Sequence, residues 1–243
     1  MICKLPPRLK TIADFIDKDA AVADIGTDHG LLPAYLAQNS LARRVIASDI
    51  SAGSLDSARR AAVKYGVPDK VTFIVADGLA GCEEAGIDTA VAAGMGGETI
   101  AGILSKAPWT RTQGVKLILQ PQSKTGELCR WLRTNGYVIN DAELTRDSGR
   151  LYIVFVAGGE VREESEAHTG GRPAVEGKTP GDNPEPEMEL MMLLKKKGDP
   201  LFHEYLDDKI KRTHNAVAGT EKSENADNTS LVKKLDRLKK LRI

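Results

Sequence analysis

The sequence predicts an α/β fold in which a sheet of five parallel strands ends in an antiparallel pair and a helical hairpin follows. Short apolar runs alternate with helical patterns over residues 20–135, which is typical of parallel strands joined by right-handed crossovers. The last two apolar runs, at 137–144 and 150–157, are separated by only residues 145–149. That connection is too short for a crossover helix, so these two runs predict an antiparallel hairpin.

An amphipathic helix over residues 5–16 is expected to precede the first strand, because its apolar residues recur at helical spacing. The predicted strands lie near 20–25, 44–49, 71–76, 88–93 and 115–120, and the helices between them near 31–38, 51–65, 97–106 and 123–135. Dinucleotide-binding folds continue with a sixth parallel strand, whereas class I methyltransferases end a Rossmann-like, seven-stranded sheet with an antiparallel hairpin. The order of elements therefore favours the methyltransferase type.

Composition places the chain among soluble globular proteins. Its 243 residues are 41% hydrophobic and 28% charged, which suffices for one large domain and an appendage. Cys3, Cys82 and Cys129 are scattered and lack a C-x-x-C spacing, so we expect reduced thiols, no disulfide framework and no metal site. Neither a secretion signal nor a stretch of eighteen apolar residues is evident, so a cytoplasmic location without membrane contact is expected.

Three segments are predicted along the chain: a ligand-binding domain with its N-terminal helix at 1–157, a flexible linker at 158–187 and a helical coiled-coil hairpin at 188–243. The linker is rich in Gly, Pro, Glu, Thr and Ser, which bury little apolar surface. Leu231, Leu235 and Leu238 have the alternating spacing of a short coiled-coil seam. Residues 188–243 contain 13 Lys/Arg and 9 Asp/Glu, an excess that either contacts phosphates or forms a solvated face.

The turn after the first strand is the central candidate site. A glycine turn between a buried strand and a helix presents backbone N–H groups to a ligand. Counted from Gly26, the dinucleotide fingerprint G-x-G-x-x-G would require glycines where Asp28 and Leu31 stand, and the Asp28 carboxylate would repel a pyrophosphate. Asp24, Asp28 and His29 instead suit a ligand with a cationic or hydrogen-bond-donating end, such as S-adenosylmethionine.

Two further strand ends carry acids. Asp49 ends the second strand 23 residues after Gly26, where an acid accepts hydrogen bonds from both hydroxyls of a ribose; the alternative is a cap for the following helix. Asp77 and Gly78 close the third strand, where the acid reaches an adenine amino group; the alternative is a plain turn. Because the carboxyl ends of parallel strands share one sheet edge, the ligand interpretation is favoured for the set.

The loops after the fourth and fifth strands face the predicted substrate. Gly94 and Met95 are expected to border the donor, and Gly96 and Gly97 to leave room for a substrate, although turns needing positive φ would explain one or two of these glycines. The loop lacks the Asn/Asp-Pro-Pro-aromatic motif of enzymes that methylate exocyclic base amines. In the next loop, Gln120 and Pro121 form a polar mouth, where Gln120 and Gln122 either read a base edge or cap the following helix.

Three stretches together carry a family resemblance. DIGTDH at 24–29, AGMGG at 93–97 and LILQP at 117–121, in this order and spacing, resemble the TrmK family of bacterial tRNA (adenine(22)-N1)-methyltransferases. The resemblance covers residues 5–157. It implies that S-adenosylmethionine is the methyl donor and that N1 of an adenine in tRNA is the acceptor.

Roles for charged residues follow from this resemblance. Adenine N1 has an in-plane lone pair, so the enzyme mainly positions the two reactants. The product ring is cationic, and Asp28 is the first candidate to stabilise it, with Glu98 second. His29 contacts the base or packs, and Lys233 and Lys234 contact tRNA phosphates or belong to a structural hairpin.

A monomer or weak dimer is expected.

The sequence also leaves open two functions other than tRNA methylation. The first alternative is a methyltransferase that acts on another RNA, a protein or a small molecule. The second, more remote alternative is a non-catalytic coiled-coil adaptor.

Overall fold

The computed structural model describes residues 1–159, 186–220 and 228–242. The strands are β1 (Ala20–Ile25), β2 (Ala42–Asp49), β3 (Thr72–Val75), β4 (Thr89–Gly96), β5 (Lys116–Ser123), β6 (Tyr137–Asp147) and β7 (Arg150–Gly159). The helices are α1 (Pro7–Asp14), α2 (Leu31–Gln38), α3 (Ala52–Lys64), α4 (Gly97–Ser105), α5 (Trp109–Thr112), α6 (Thr125–Thr134), α7 (Pro186–Lys197), α8 (Phe202–Thr220) and α9 (Thr229–Lys240).

The seven strands form one sheet in the order β3-β2-β1-β4-β5-β7-β6. Strands β1 to β5 pair in parallel, while β7 runs antiparallel to both β5 and β6. The predicted fold class is therefore confirmed. Because β7 runs in the opposite direction, the tip of the β6–β7 hairpin lies at the same sheet edge as the carboxyl ends of β1, β4 and β5.

Both faces of the sheet are covered by helices. Along β5, Leu117 and Leu119 belong to the hydrophobic cluster that includes residues of α4, α6 and α7. Ile118, between them, belongs to the cluster on the other face, which includes residues of α1 and α2. This alternation follows from the two-residue period of a strand, and it produces a three-layer arrangement of helices, sheet and helices.

Several elements extend beyond their predicted ends. β4 and β5 each continue three residues further than expected, to Gly96 and Ser123. The β6–β7 hairpin narrows to a two-residue turn at Ser148 and Gly149, with φ values of 48° and 78°. Positive φ at both central positions is the conformation that matches the twist of two paired strands.

The C-terminal helices are less separate from the sheet than expected. Met188, Leu190 and Leu194 of α7 are buried in the same cluster as α6 and β6. The predicted boundary at residue 188 therefore does not divide two hydrophobic cores. Most of the predicted linker lies outside the described residues, but its first two residues belong to β7 and its last two to α7.

Helices α8 and α9 pack against each other. Arg242 Nη2 lies 2.7 Å from Asp207 Oδ1, which places the end of α9 beside the start of α8 and makes the pair antiparallel. Leu235 and Leu238 are buried, as the leucine spacing predicts. Within the described ranges, none of the helices has the length and apolar character needed to cross a membrane.

Candidate functional site

A cavity of about 360 Å³ opens at the carboxyl edge of the sheet. It is bounded by the start of α1, the turn after β1, the end of β4 and Gln122 at the end of β5. Of the residues predicted for the site, the cavity brings together Asp24, Gly26, Asp28, His29 and Gly94. Its size is that of a small-molecule site.

The turn after β1 is shaped by Gly26, whose φ is 71°. The amides of Gly26 and Thr27 donate to the Ser48 carbonyl at 2.7 and 3.1 Å, which ties the turn to β2. A side chain at Gly26 would collide with the methyl group of Met95. Met95 therefore packs on the turn from β4, and this contact accounts for its position beside the site.

Asp24 is the most strongly perturbed group of the cavity. Its residue is only 7% exposed, and burial raises the pKa of its carboxyl to about 7, although the positive charge of Arg8 partly opposes the shift. A buried carboxyl with such a pKa in a cleft is a candidate for binding a ligand.

Arg8, on α1, is a site residue that the sequence reasoning missed. Its Nη1 donates to Gln120 Oε1 at 2.8 Å, and its guanidinium lies 5.7 Å from the centre of the Tyr152 ring. The ligand-binding residues predicted from the sequence lie at strand ends, whereas Arg8 precedes the first strand. The sequence feature that could have identified Arg8 is its place on the helix before β1, the strand that ends near Asp24. A zwitterionic ligand bound at such an acidic strand end also needs a cation.

The structure corrects the interpretation of Gln120. This side chain is fully buried, and its Oε1 also accepts from the Gly94 amide at 3.1 Å, while its Nε2 donates to the Pro121 carbonyl at 3.2 Å. It therefore neither faces a base edge nor caps α6, whose N-cap position is Lys124. Gln120 positions Arg8 and the β4 loop. Gln122, which is exposed, is the glutamine that lines the cavity.

The glycines of the β4 loop have different roles. Gly94 has a φ of 78° and lines the cavity. Gly96 is the N-cap residue of α4 in an extended conformation. Gly97 is buried, and a Cβ there would lie 2.5 Å from the Lys124 carbonyl oxygen, so close packing of α4 on the start of α6 explains it. Helix packing, rather than substrate contact, thus accounts for Gly97.

Asp49 and Asp77 lie at neighbouring strand ends but outside the lining of this cavity. Asp49 Oδ1 accepts from the Ser51 amide at 2.8 Å, and Ser51, not Asp49, caps α3. Asp77 Oδ2 lies 2.6 Å from Lys106 Nζ and lines a separate cavity of about 300 Å³. Gly78 has a φ of 64°, and a Cβ there would lie 2.8 Å from Ile103 Cγ2, so the turn itself requires glycine.

The three predicted catalytic side chains differ in position. Asp28 and His29 stand at the mouth of the cavity, where their side chains are 72% and 74% exposed and Asp28 Oδ2 lies 3.3 Å from His29 Nε2. Glu98, in the first turn of α4, lies outside the cavity lining and forms a 2.5 Å ion pair with Lys124. The structure therefore groups Asp28 with His29 and separates Glu98 from them.

The remaining predicted substrate residues lie further from the cavity. Pro121 pairs with Met95 across β4 and β5, and it lines a larger cavity between the hairpin and α8. Lys234 Nζ lies 2.5 Å from Glu187 Oε2, so its charge already pairs within the protein, whereas Lys233 is exposed. Among the residues that the structure describes, no group of three or more His, Cys, Asp or Glu side chains is arranged to hold a metal ion.

Comparison with known proteins places these features in a family. The family model described as "Methyltransferase domain" matches residues 5–155. A tRNA (adenine(22)-N(1))-methyltransferase of Bacillus subtilis is 36% identical over 154 residues, which span 63% of this chain and 65% of that protein, less than two thirds of its length. A putative tRNA methyltransferase of Mycoplasma pneumoniae is 34% identical over 153 residues, which span 61% of this chain and 68% of that protein.

A solved structure extends the likeness over nearly the whole chain. The crystal structure of the B. subtilis M1A22 tRNA methyltransferase TrmK superimposes with a TM-score of 0.78 and 27% identity, covering 99% of this chain and 100% of that one. The likeness thus includes the C-terminal helices as well as the sheet.

Proposed function

This chain belongs to the methyltransferase domain family, and we propose that it transfers a methyl group from S-adenosylmethionine to N1 of adenine 22 in tRNA. The observation that carries the proposal is the cavity at the end of β1, where the buried Asp24 carboxyl shares the lining with the Arg8 guanidinium. The choice of substrate is supported by the likeness to the B. subtilis enzyme.

The lining of the cavity fits this donor. The methionine end of S-adenosylmethionine carries an ammonium and a carboxylate. Asp24 provides the anion for the ammonium, and Arg8, held by Gln120, provides the cation for the carboxylate. Asp49, at the adjoining end of β2, would accept hydrogen bonds from the ribose hydroxyls of the donor.

When bound, S-adenosylmethionine supplies an electrophilic methyl group, which adenine N1 accepts through its lone pair without prior loss of a proton. The task of the protein is therefore to orient the base and to stabilise the positive charge that the ring gains. Asp28 stands at the mouth of the cavity and provides a carboxylate for that charge. Because N1 is paired in duplex RNA, the target adenine must leave the stack to reach this mouth.

The experiment that tests the function is product analysis. The protein is incubated with labelled S-adenosylmethionine and an unmodified tRNA transcript, and the RNA is digested to nucleosides. We expect the label in 1-methyladenosine, and none when adenine 22 is replaced by guanine in a matched transcript. Label in another nucleoside, or undiminished label in the matched transcript, would contradict the proposal.

A pair of variants tests the role of Asp28. We expect Asp28→Asn to lower kcat about tenfold while the Kd for S-adenosylmethionine stays within twofold. The reason is that the Asp28 carboxylate interacts with the positive charge that develops on the adenine ring, which stabilises the transition state by about 1.4 kcal/mol, and does not contact the donor. Glu98→Gln is the matched comparison. An equal or larger loss of kcat in Glu98→Gln would transfer the role to Glu98.

We propose that the C-terminal helices contact tRNA phosphates through exposed lysines such as Lys233. Lys234 instead forms an ion pair with Glu187. A tRNA substrate also implies a cytoplasmic location.

Deleting residues 188–243 does not test the role of the C-terminal helices alone, because it removes Met188, Leu190 and Leu194 from the core of the sheet domain. Lys233→Glu is the cleaner variant, and we expect it to raise the Kd for tRNA a few fold without changing the Kd for the donor.

A further inference from the structure

A second cavity, of about 500 Å³, forms a groove beside the donor cavity. Its floor is the end of β5, one wall is the β6–β7 hairpin, and the other wall is α8. Gln122 lines both this groove and the donor cavity. An RNA strand lying in the groove therefore reaches the mouth of the donor cavity, where we expect the target base.

We propose that this groove, which we call the hairpin groove, binds the RNA backbone next to the target adenine. This inference rests on the proposed function, and it names the part of the surface that holds the substrate. The hairpin groove is defined here by Gln122, Arg146, Arg150, Tyr152 and Arg212.

Charge distinguishes the hairpin groove from the donor cavity. The donor cavity is lined by two acids and one arginine, whereas the hairpin groove is lined by four basic side chains and two acids. One of the basic groups, Lys209, is already paired with Glu187 at 2.7 Å. Three arginines remain on its two walls, which favours a polyanion over a cationic ligand.

Ion pairs hold two of these arginines in place without using up their donors. Arg146 of β6 bonds to Glu204, and Arg212 Nε of α8 lies 2.8 Å from Asp208 Oδ2. A guanidinium has five N–H donors in a planar fork, so a single carboxylate leaves others for a phosphate. Arg150, the first residue of β7, is exposed at the hairpin tip.

Other groups in the hairpin groove suit a single strand. Tyr152 offers an aromatic ring, next to the Arg8 guanidinium that reaches over from the donor cavity. Gln122 offers an exposed amide at the junction of the two cavities. Arginines along a backbone combined with an aromatic ring and an amide are the usual means of binding unpaired RNA.

The test uses one variant from each wall of the hairpin groove, Arg150→Glu and Arg212→Glu, in the full chain. Lys18→Glu is the matched control, because it makes the same charge change at an exposed site just before β1, at the opposite edge of the sheet. The Kd for unmodified tRNA is measured without donor at several salt concentrations. The Kd for S-adenosylmethionine is measured separately and reports whether each variant retains its fold.

We expect each groove variant to raise the Kd for tRNA at least about tenfold and Lys18→Glu to change it less than twofold. The slope of log Kd against log salt should fall by about 0.7 for each phosphate that the variant no longer binds. The Kd for S-adenosylmethionine should stay within twofold in all three variants. If Arg150→Glu disturbs the hairpin and abolishes donor binding, Arg212→Glu decides, because its side chain is 77% exposed on a separate helix.

The two proposals fail in different ways. If the wild type forms 1-methyladenosine at position 22 but both groove variants bind tRNA as well as Lys18→Glu does, the groove proposal is overturned and the function stands. If the groove variants lose tRNA binding but the product is another nucleoside, the groove stands and the function is wrong. A wild type that does not bind tRNA would overturn both.

Discussion

Two buried carboxyl groups, one in the sheet and one in the C-terminal helices, have pKa values shifted in opposite directions. Asp24 lies near the end of β1 and Glu187 in the first turn of α7, and the two residues are 7% and 5% exposed. Burial raises the pKa of Asp24 to about 7. Burial also acts to raise the pKa of Glu187, but Lys209 and Lys234 outweigh it and hold that pKa below its usual range.

The difference separates a structural ion-pair site at Glu187 from the proposed binding site at Asp24. Glu187 receives Lys209 from α8 at 2.7 Å and Lys234 from α9 at 2.5 Å, so the chain itself neutralises the charge and ties three helices together. Asp24 has Arg8 nearby, yet its pKa stays high. We therefore propose that a ligand completes the interaction at Asp24, and the ammonium group of the proposed donor would do so.

The largest expected effect is on stability, in Glu187→Gln. Removing the carboxylate leaves two lysines partly buried and unpaired, which costs about 3–5 kcal/mol. Glu189→Gln is the control on the same helix, because Glu189 is 43% exposed and pairs with a similarly exposed Arg133 at 3.1 Å, and such a pair contributes no more than about 1 kcal/mol. Urea unfolding monitored by circular dichroism measures both. Equal stabilities of the two variants would show that Glu187 is not a structural site.

The next effect is on donor binding, in Asp24→Asn. We expect the Kd for S-adenosylmethionine to rise about a hundredfold, since removing one partner of a buried charge pair costs about 2–5 kcal/mol. At pH 8 the variant should unfold at the same or a higher temperature, because it no longer buries an ionised carboxylate. Isothermal titration calorimetry and thermal unfolding test both expectations, with the exposed Asp69→Asn as control. A strong loss of stability would place Asp24 in the same class as Glu187.

Arg8→Gln should have a smaller effect on the same cavity. A charge-assisted hydrogen bond contributes about 1.5–3 kcal/mol, so we expect the Kd for the donor to rise ten- to hundredfold. Gln120→Leu, which removes the acceptor that holds Arg8 at 2.8 Å, should reproduce part of this loss. If the double variant binds as weakly as Arg8→Gln alone, the two residues act as one unit. Fully additive losses would contradict a positioning role for Gln120.

The sequence predicts well what depends on neighbouring residues. The alternation of apolar runs and helical patterns predicts the parallel strands, and the short 145–149 connection predicts the antiparallel hairpin. The acids at strand ends lie at one edge because parallel strands share their direction. The resemblance to the TrmK family, drawn from three short motifs, is confirmed by the B. subtilis relative.

Contacts between distant residues could not be predicted in this way. Arg8 and Gln120 are 112 residues apart, and nothing in either local pattern indicates that one holds the other. The apolar face of α7 indicates burial but not its partner, so its packing on α6 and β6 was missed. Gly97 is expected from the sequence to leave room for a substrate, whereas the close approach of the Lys124 carbonyl at the start of α6 explains the glycine.

The smallest effect expected is a pH dependence that distinguishes the two carboxyls. Asp24, with a pKa of about 7, is neutral below that pH and ionised above it, so affinity for an ammonium group should fall as the pH is lowered from 8 to 6. The expected rise in Kd for S-adenosylmethionine is up to about tenfold. Asp24→Asn corrects for titration of the donor itself and should remove the remaining dependence. Glu187, whose pKa is lowered, stays ionised throughout this range, so Glu187→Gln should retain the full pH dependence of the Kd. A Kd that no longer depends on pH in Glu187→Gln but still does in Asp24→Asn would show that Glu187, and not Asp24, is the titrating group.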